Sequence, residues 1–340
     1  MTDKIPYRDG VALQPKSLDT SRGIVTAALD KADLKAFKPG ATIAVAGIGA
    51  SLYAAQAATA QMRLQGLRAM AFPGTELYDP RIDVADVYVA LSASGRSVEP
   101  AKAMEARPNA VTFGIAKAAD TPLAKVVKTM IGTGSGADSG PNTTSYVGSL
   151  QALGLLADRI GTPSGADWTA LPGKVEEVLA LVVEPVRRAA DLLTGRTSID
   201  CVGAGLAFGT AGYAALLIRE AVRAPAQNWD TLNFLHGPME PNDGGTSVLL
   251  FGDGREVPLA RDLAGFGIPT VLVTSRTDLK DAANLVVITV PALGTGLPDA
   301  ILQALPAQLL TADMSEAVGL PVCEFRYRQT DTKLAVPAAA

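Results

Sequence analysis

The chain has 340 residues, 48% hydrophobic and only 5% aromatic, with a net charge of −4 and a single histidine. That length predicts about two domains, and a slightly acidic chain with no dense run of Lys and Arg argues against a nucleic-acid surface. One histidine, with Cys201 and Cys323 far apart, argues against a His/Cys metal site; both thiols read as reduced and partly buried.

The N-terminus, Met1 to Asp9, carries no apolar signal segment, and no run of about 18 apolar residues follows. No membrane contact and a cytoplasmic location are therefore expected. The first forty residues read as a polar arm with one helix near Ser21–Ala36. Short apolar runs then alternate with helical stretches. Thr42–Ala46 reads as a strand, Ser51–Gln65 as a helix, and Leu67–Phe72 and Asp86–Leu91 as strands. A helix over Ser97–Ala106, a strand at Ala110–Ala116, a helix near Thr121–Val127 and a strand at Lys128–Thr133 complete the set. Aliphatic strands alternating with helices predict a parallel, doubly wound sheet buried on both faces.

Asn142–Ile160 reads as a long helix, Thr162–Asp167 as a Pro/Gly/Ser linker, and Lys174–Leu193 as a further helix. The pattern then restarts. Strands are expected at Ser198–Val202, Ser247–Phe251, Pro269–Thr274 and Asn284–Val290, with helices at Gly209–Val222 and Ala300–Val318. Arg223-Ala-Pro-Ala226 echoes Arg68-Ala-Met-Ala71. The spacing predicts an internal duplication of about 150 residues, too long a period for a solenoid. The expected fold is α/β: two tandem flavodoxin-like three-layer units, residues 1–170 and 171–340.

Open parallel sheets bind ligands outside the carboxyl ends of their strands. Three loops of the first half leave or flank such ends: Gly47-Ile-Gly-Ala-Ser51, Ser92-Ala-Ser-Gly-Arg-Ser97 and Gly140-Pro-Asn-Thr-Thr-Ser145. Each is small, rich in hydroxyls and placed before a helix, where free N–H groups and the helix dipole favour an anion. The competing reading is that these hydroxyls only cap helices. A dinucleotide site is disfavoured, because Leu52 stands where a third glycine is needed and no acid ends the second strand. The second half has Phe251-Gly-Asp-Gly254 in place of Ser92-Ala-Ser-Gly95, an acidic turn that should repel phosphate. It contributes instead Glu220, at a helix end, and Asn233-Phe-Leu-His-Gly-Pro238. Glu220 reads either as a proton-transferring base or as a surface partner of Arg219 or Arg223. His236 reads as an assisting group or a structural residue, and Lys333 as a site residue or a solvated charge.

At these residues the sequence resembles the SIS (sugar isomerase) family, and within it the double-SIS isomerase part of glucosamine-6-phosphate synthase. Ser92–Ser97 is similar to the family's Ser-x-Ser-Gly-x-Thr/Ser phosphate loop. His236-Gly-Pro238 is similar to its His-Gly-Pro motif, and Glu220 precedes His236 by 16 residues, as in the synthase. The resemblance implies that Ser51, Ser92, Ala93, Ser94 and Ser97 hold a sugar phosphate and that Asn142, Thr143 and Thr144 line the sugar. It implies that Glu220 moves a proton between C1 and C2, with no cofactor. It implies that His236 assists ring opening from across a homodimer interface. Lys333 is the nearest match to the family's Schiff-base lysine, but in a Thr-Lys-Leu rather than a Leu-Ala-Lys context, and Gln227 stands where the synthase has a second acid. The sequence shows no glutaminase part and no cysteine near Met1. The expected activity is therefore sugar-phosphate isomerisation, or release of an amine from an amino-sugar phosphate. The alternative is a sugar-phosphate-binding regulator without turnover.

Overall fold

Ten segments of the described residues form strands, and the central ones, such as Val87–Leu91, Ile199–Gly203 and Ser247–Phe251, are largely apolar and wholly buried. The computed structural model describes residues 4–320, 325–327 and 329–335. Thr42–Gly47 (β1), Arg68–Pro73 (β2), Val87–Leu91 (β3), Val111–Ala116 (β4) and Thr129–Gly132 (β5) form one sheet in the order β2-β1-β3-β4-β5. Ile199–Gly203 (β6), Ala226–Trp229 (β7), Ser247–Phe251 (β8), Thr270–Thr274 (β9) and Leu285–Thr289 (β10) form the second, in the order β7-β6-β8-β9-β10. All pairings within both sheets are parallel. The two orders are the same, so the internal repeat seen in the sequence is a repeat of topology.

Helices cover the faces of the sheets: Ala50–Leu64 (α3), Val98–Glu105 (α4), Thr144–Ile160 (α5), Leu206–Leu217 (α8) and Glu256–Gly265 (α10), with Leu297–Ala317 (α11) closing the chain. The two halves meet closely where α8 crosses α3. A Cβ at Gly209 would lie 2.6 Å from the Tyr53 carbonyl oxygen, and one at Gly212 would lie 2.2 Å from the Tyr53 ring. Only glycine permits that approach. One apolar cluster runs without a break across this contact, from Ile43 and Val89 in the first sheet to Leu249 and Val271 in the second.

Three segments differ from the sequence expectation. The polar arm is helical from Tyr7–Ala12 (α1) through Gln14–Lys31 (α2), rather than at Ser21–Ala36. Pro15 suits the first turn of α2. Its polar residues Gln14, Ser17 and Ser21 are buried rather than solvated: Gln14 donates to Gln308 Oε1 at 2.7 Å and Ser17 to the Ser135 carbonyl at 2.8 Å. The helix expected over Lys174–Leu193 is two, Leu171–Leu181 (α6) and Val183–Leu193 (α7). Pro185 lies in the first turn of α7, where its missing N–H cannot continue the helix before it. The helix expected near Thr121–Val127 is a single 3₁₀ turn, Pro122–Lys125. Cys201 is buried in β6, and burial raises its thiol pKa; Cys323 lies outside the described residues. Among the described residues, no helix is long and apolar enough to cross a membrane.

Candidate active site

Strand order reverses between β1 and β3, and the crevice at such a switch point is where this architecture receives ligands. The loop after β1 turns at Gly49, whose φ of 56° favours glycine, and delivers Ser51 to the first turn of α3. The loop after β3 closes on itself. The Gly95 N–H donates to the Ser92 carbonyl at 2.8 Å, the Ser97 N–H to Ser92 Oγ at 3.2 Å, and the Arg96 N–H to Ser94 Oγ at 3.3 Å. Ser97 begins α4 without capping it through its side chain. Its hydroxyl instead accepts from Lys333 Nζ at 2.9 Å. The capping interpretation therefore does not account for Ser97.

Lys333 arrives from a long way along the chain. Residues 332–334 run antiparallel to residues 96–98. The Leu334 N–H donates to the Arg96 carbonyl at 2.7 Å, Arg96 Nε to the Leu334 carbonyl at 2.8 Å, and the Val98 N–H to the Thr332 carbonyl at 3.4 Å. Burial lowers the ammonium's pKa, with Glu99 opposing.

A buried carboxylate, Asp138, builds the third loop. It accepts from the Thr143 N–H at 2.8 Å, Asn142 Nδ2 at 2.9 Å, Thr143 Oγ1 at 3.1 Å and the Ser145 hydroxyl. Tyr213 of α8 donates to the Asn142 carbonyl at 2.6 Å, and Gln308 Nε2 of α11 donates to Tyr213 Oη at 3.0 Å. The second half and the closing helix thus hold a loop of the first.

Glu220 lies in a π turn, Ile218–Val222, at the end of α8. The Arg223 N–H closes that turn on the Ile218 carbonyl at 2.9 Å. Such turns widen a helix locally and re-aim a side chain. Burial pushes the Glu220 carboxyl up to about 7, with the positive charges of Arg219 and Lys333 opposing. Arg219 itself donates to the Ala226 carbonyl at 2.6 Å and to Tyr53 Oη at 3.3 Å.

These elements enclose a cleft of about 460 Å³ lined by Ser51, Ala93, Ser94, Ser97, Asn142, Glu220 and Lys333, with Lys4, Arg96, Glu99, Ser139 and Phe325. Seven residues singled out in the sequence therefore line one cleft. Ser92 lies beneath the loop as its internal acceptor and is buried. Thr143 and Thr144 are fully buried, with their hydroxyls engaged by Asp138 and by the Ala137 carbonyl. They shape the loop rather than line the cleft. His236 is exposed beyond Thr231–Phe234 (α9) and does not line the cleft of its own chain. Sequence reasoning missed Asp138, whose sign was a lone acid beside Gly140-Pro141-Asn142, and the cations Lys4 and Arg96, which left no local signal.

The second half presents the same backbone with different chemistry. Gly205, at φ 59°, repeats Gly49, but Ala207 stands where Ser51 does. After β8, Glu256 opens α10 where Ser97 opens onto α4. Its buried carboxylate accepts from the Gly254 N–H at 3.2 Å and from the Thr231 hydroxyl. Asp253 accepts from the Ser275 N–H at 2.6 Å and from Ser275 Oγ at 2.7 Å. Burial works to raise its pKa, but the bonds from Thr274 and Ser275 outweigh it and hold the carboxyl below its usual value. The Gly-Asp-Gly turn is thus also a brace on the β9 end.

No family model matches the chain. The glutamine–fructose-6-phosphate aminotransferase of Sulfolobus acidocaldarius is 22% identical over 253 residues, which is 73% of this chain and 43% of that protein. The chain thus spans less than half the length of that curated relative. The C-terminal domain of the glucosamine-fructose-6-phosphate aminotransferase of Francisella tularensis superposes with a TM-score of 0.81 at 16% identity, covering 94% of this chain and 98% of that one. Glucosamine-6-phosphate deaminase of Thermotoga maritima superposes at 0.73 with 20% identity, covering 93% and 98%. The shared feature is a tandem pair of doubly wound units.

Proposed function

On the premise that the chain resembles the double-SIS isomerase part of these aminotransferases and has their tandem fold, we propose that it is a phosphosugar enzyme of the isomerase or deaminase type. The observation that carries this reading is the half-buried Glu220 carboxyl, raised to about 7 and lining the same cleft as the hydroxyl-rich helix starts. A base poised near neutrality is what proton abstraction beside a carbonyl requires.

The phosphate of an open-chain ketose or aldose lies against Ser51, Ser94 and Ser97, held by main-chain N–H groups and hydroxyls. Lys333 adds a positive charge at Ser97, and its lowered pKa also suits it to attack a carbonyl as the free amine. Glu220 takes the proton from one of C1 and C2, leaving an enediol, and returns it to the other. His236 enters from the partner of a homodimer and assists ring opening. Asp138 acts as a positioning residue through Asn142. A carboxyl ionising only near pH 7 is a more specific requirement for turnover than for ligand sensing, which favours an enzyme over a regulator.

The test is exchange of substrate C1 and C2 hydrogens with deuterated water over a panel of hexose and hexosamine 6-phosphates. Glu220→Gln is expected to lower exchange at least ~1,000-fold while leaving ligand-induced thermal stabilisation in place. Full exchange in that variant would remove Glu220 as the base.

A further inference from the structure

Beside the cleft lies a much smaller hollow of about 10 Å³, the scale of one water molecule. Its polar lining is Ser51, Asn142, Ser145, Tyr146 and Ser149. Ser51, Asn142 and Ala93 line the cleft as well, so the two spaces share a partition. Two of the hydroxyls have committed their protons elsewhere: Ser145 donates to Asp138, and Ser149 donates to the Ser145 carbonyl at 2.7 Å. The Tyr146 hydroxyl is different. It is buried, and among the described residues it has no hydrogen-bond partner. Its ring is 2% exposed and stacks on Tyr213, with centroids 3.6 Å apart and planes 5° apart, so it cannot swing out to water. Tyr213 is in turn fixed by its bond to the Asn142 carbonyl. Burial raises the Tyr146 pKa, so the phenol keeps its proton and is a donor. A buried hydroxyl without a partner is costly, and a polar hollow of this size is where a water relieves that cost.

We propose that this hollow is a site for one ordered water, which accepts from Tyr146 Oη and donates to Ser51 Oγ and Asn142 Oδ1. Asn142 spends both amide protons, on Asp138 Oδ2 at 2.9 Å and Ser145 Oγ at 2.8 Å, so its amide oxygen is the atom left to accept. A serine hydroxyl has a single proton. With Ser51 Oγ receiving the water's proton from the hollow, its own proton is directed into the cleft, where an anion accepts it. Each bond in such a chain polarises the next, so the phenol strengthens Ser51 as a donor without adding a charge. Tyr146 is thus a positioning residue: it acts through the water and Ser51 and touches neither phosphate nor sugar. This role rests on the phosphate reading above and deepens it, by naming the group that sets the direction of the Ser51 hydroxyl.

A double-mutant cycle on fructose 6-phosphate affinity, measured by calorimetry, tests the relay. Ser51→Ala is expected to weaken binding ~10-fold and Tyr146→Phe about 5-fold, while the double variant is no weaker than Ser51→Ala alone. A phenol that served only packing would give the same loss in both backgrounds. That outcome, or full affinity in Tyr146→Phe, would overturn the relay while leaving the phosphate cleft standing. No binding by the parent, or unchanged affinity in Ser51→Ala, would instead overturn the phosphate reading at Ser51, and the relay with it. A high-resolution crystal structure of the parent is the independent arm. A water within ~3.2 Å of both Tyr146 Oη and Ser51 Oγ is expected, and a dry hollow would end the proposal even if the variants failed to fold.

Discussion

The loops after β3 and β8 occupy equivalent places in two copies of one topology, yet they treat negative charge in opposite ways. In the first, Ser97 opens onto its helix with a hydroxyl that meets an incoming lysine, and the loop's own bonds are made through Ser92 and Ser94. In the second, Glu256 stands at the same point and fills the turn with its own carboxylate, bonded to Gly254 and Thr231. A helix start that needs an anion has been given one permanently. On the function proposed above, this is a division of labour: the half with the open helix start would receive the ligand, and the half whose turn is filled by its own acid would supply Glu220.

That contrast can be broken from either side. The largest effect is expected at Glu220. Its folded-state pKa is above the ordinary carboxylate value, so folding favours the protonated form; stability is intact below about pH 4.5 and is lost as pH rises to about 7. Glu220→Gln should therefore stabilise the protein above pH 7 by up to about 3 kcal/mol and change little below pH 4.5, as read by urea unfolding across pH. An equal change at both ends would show that the carboxyl is not held away from water. Next, Ser97→Glu transplants the second half's acid into the first. It should cost at least ~100-fold in phosphosugar affinity by like-charge repulsion, measured by calorimetry; retained binding would place the phosphate elsewhere.

The reverse exchange, Glu256→Ser, leaves the Gly254 N–H and Thr231 hydroxyl without their acceptor and should cost about 2 kcal/mol. Sulfate should restore more stability to this variant than to the parent, because it can enter the vacated turn. If sulfate helps both equally, the second cradle has lost more than its hydroxyl. The smallest effect is expected for Asp253→Asn. The depressed Asp253 pKa contributes stability above the ordinary carboxylate pKa that is lost as pH falls through the folded value. The variant should have a flatter melting-temperature profile between pH 5 and pH 3, and an unchanged profile would mean that the brace on Ser275 is not electrostatic.

Strands such as β1, β3, β6, β8 and β9 were legible because each is an apolar run ended by Gly or Ser, and β3 and β8 fall within a residue of where that pattern puts them, whereas β7, Ala226-Gln-Asn-Trp229, is short and half polar and was not expected as a strand. The N-terminal helices were not, because Gln14, Ser17 and Ser21 look like solvated surface and are in fact buried. Burial of a polar residue depends on a partner such as Gln308, nearly three hundred positions away, and no local pattern reports it. The same holds at the site. Ser51, Ser94, Ser97 and Asn142 were readable from loop composition, and Glu220 from its spacing to His236. Nothing near Lys333 announces that its neighbours pair with residues 96–98. Thr143 and Thr144 matched the expected loop composition, but their hydroxyls are directed inward, to Asp138 and to the Ala137 carbonyl respectively.

The polar relay from Gln14 through Gln308 and Tyr213 to the Asn142 carbonyl bears on the order in which the molecule is made. The Ser92–Ser97 loop leaves the ribosome before Gln308 of α11, on which one anchor of its neighbouring loop rests, and Lys333 follows later still. A nascent chain halted before residue 308 would carry an intact amino-terminal sheet with an unfinished pocket. If the Ser92–Ser97 loop binds phosphate as proposed, that capacity is withheld until Gln308 and Lys333 have been added.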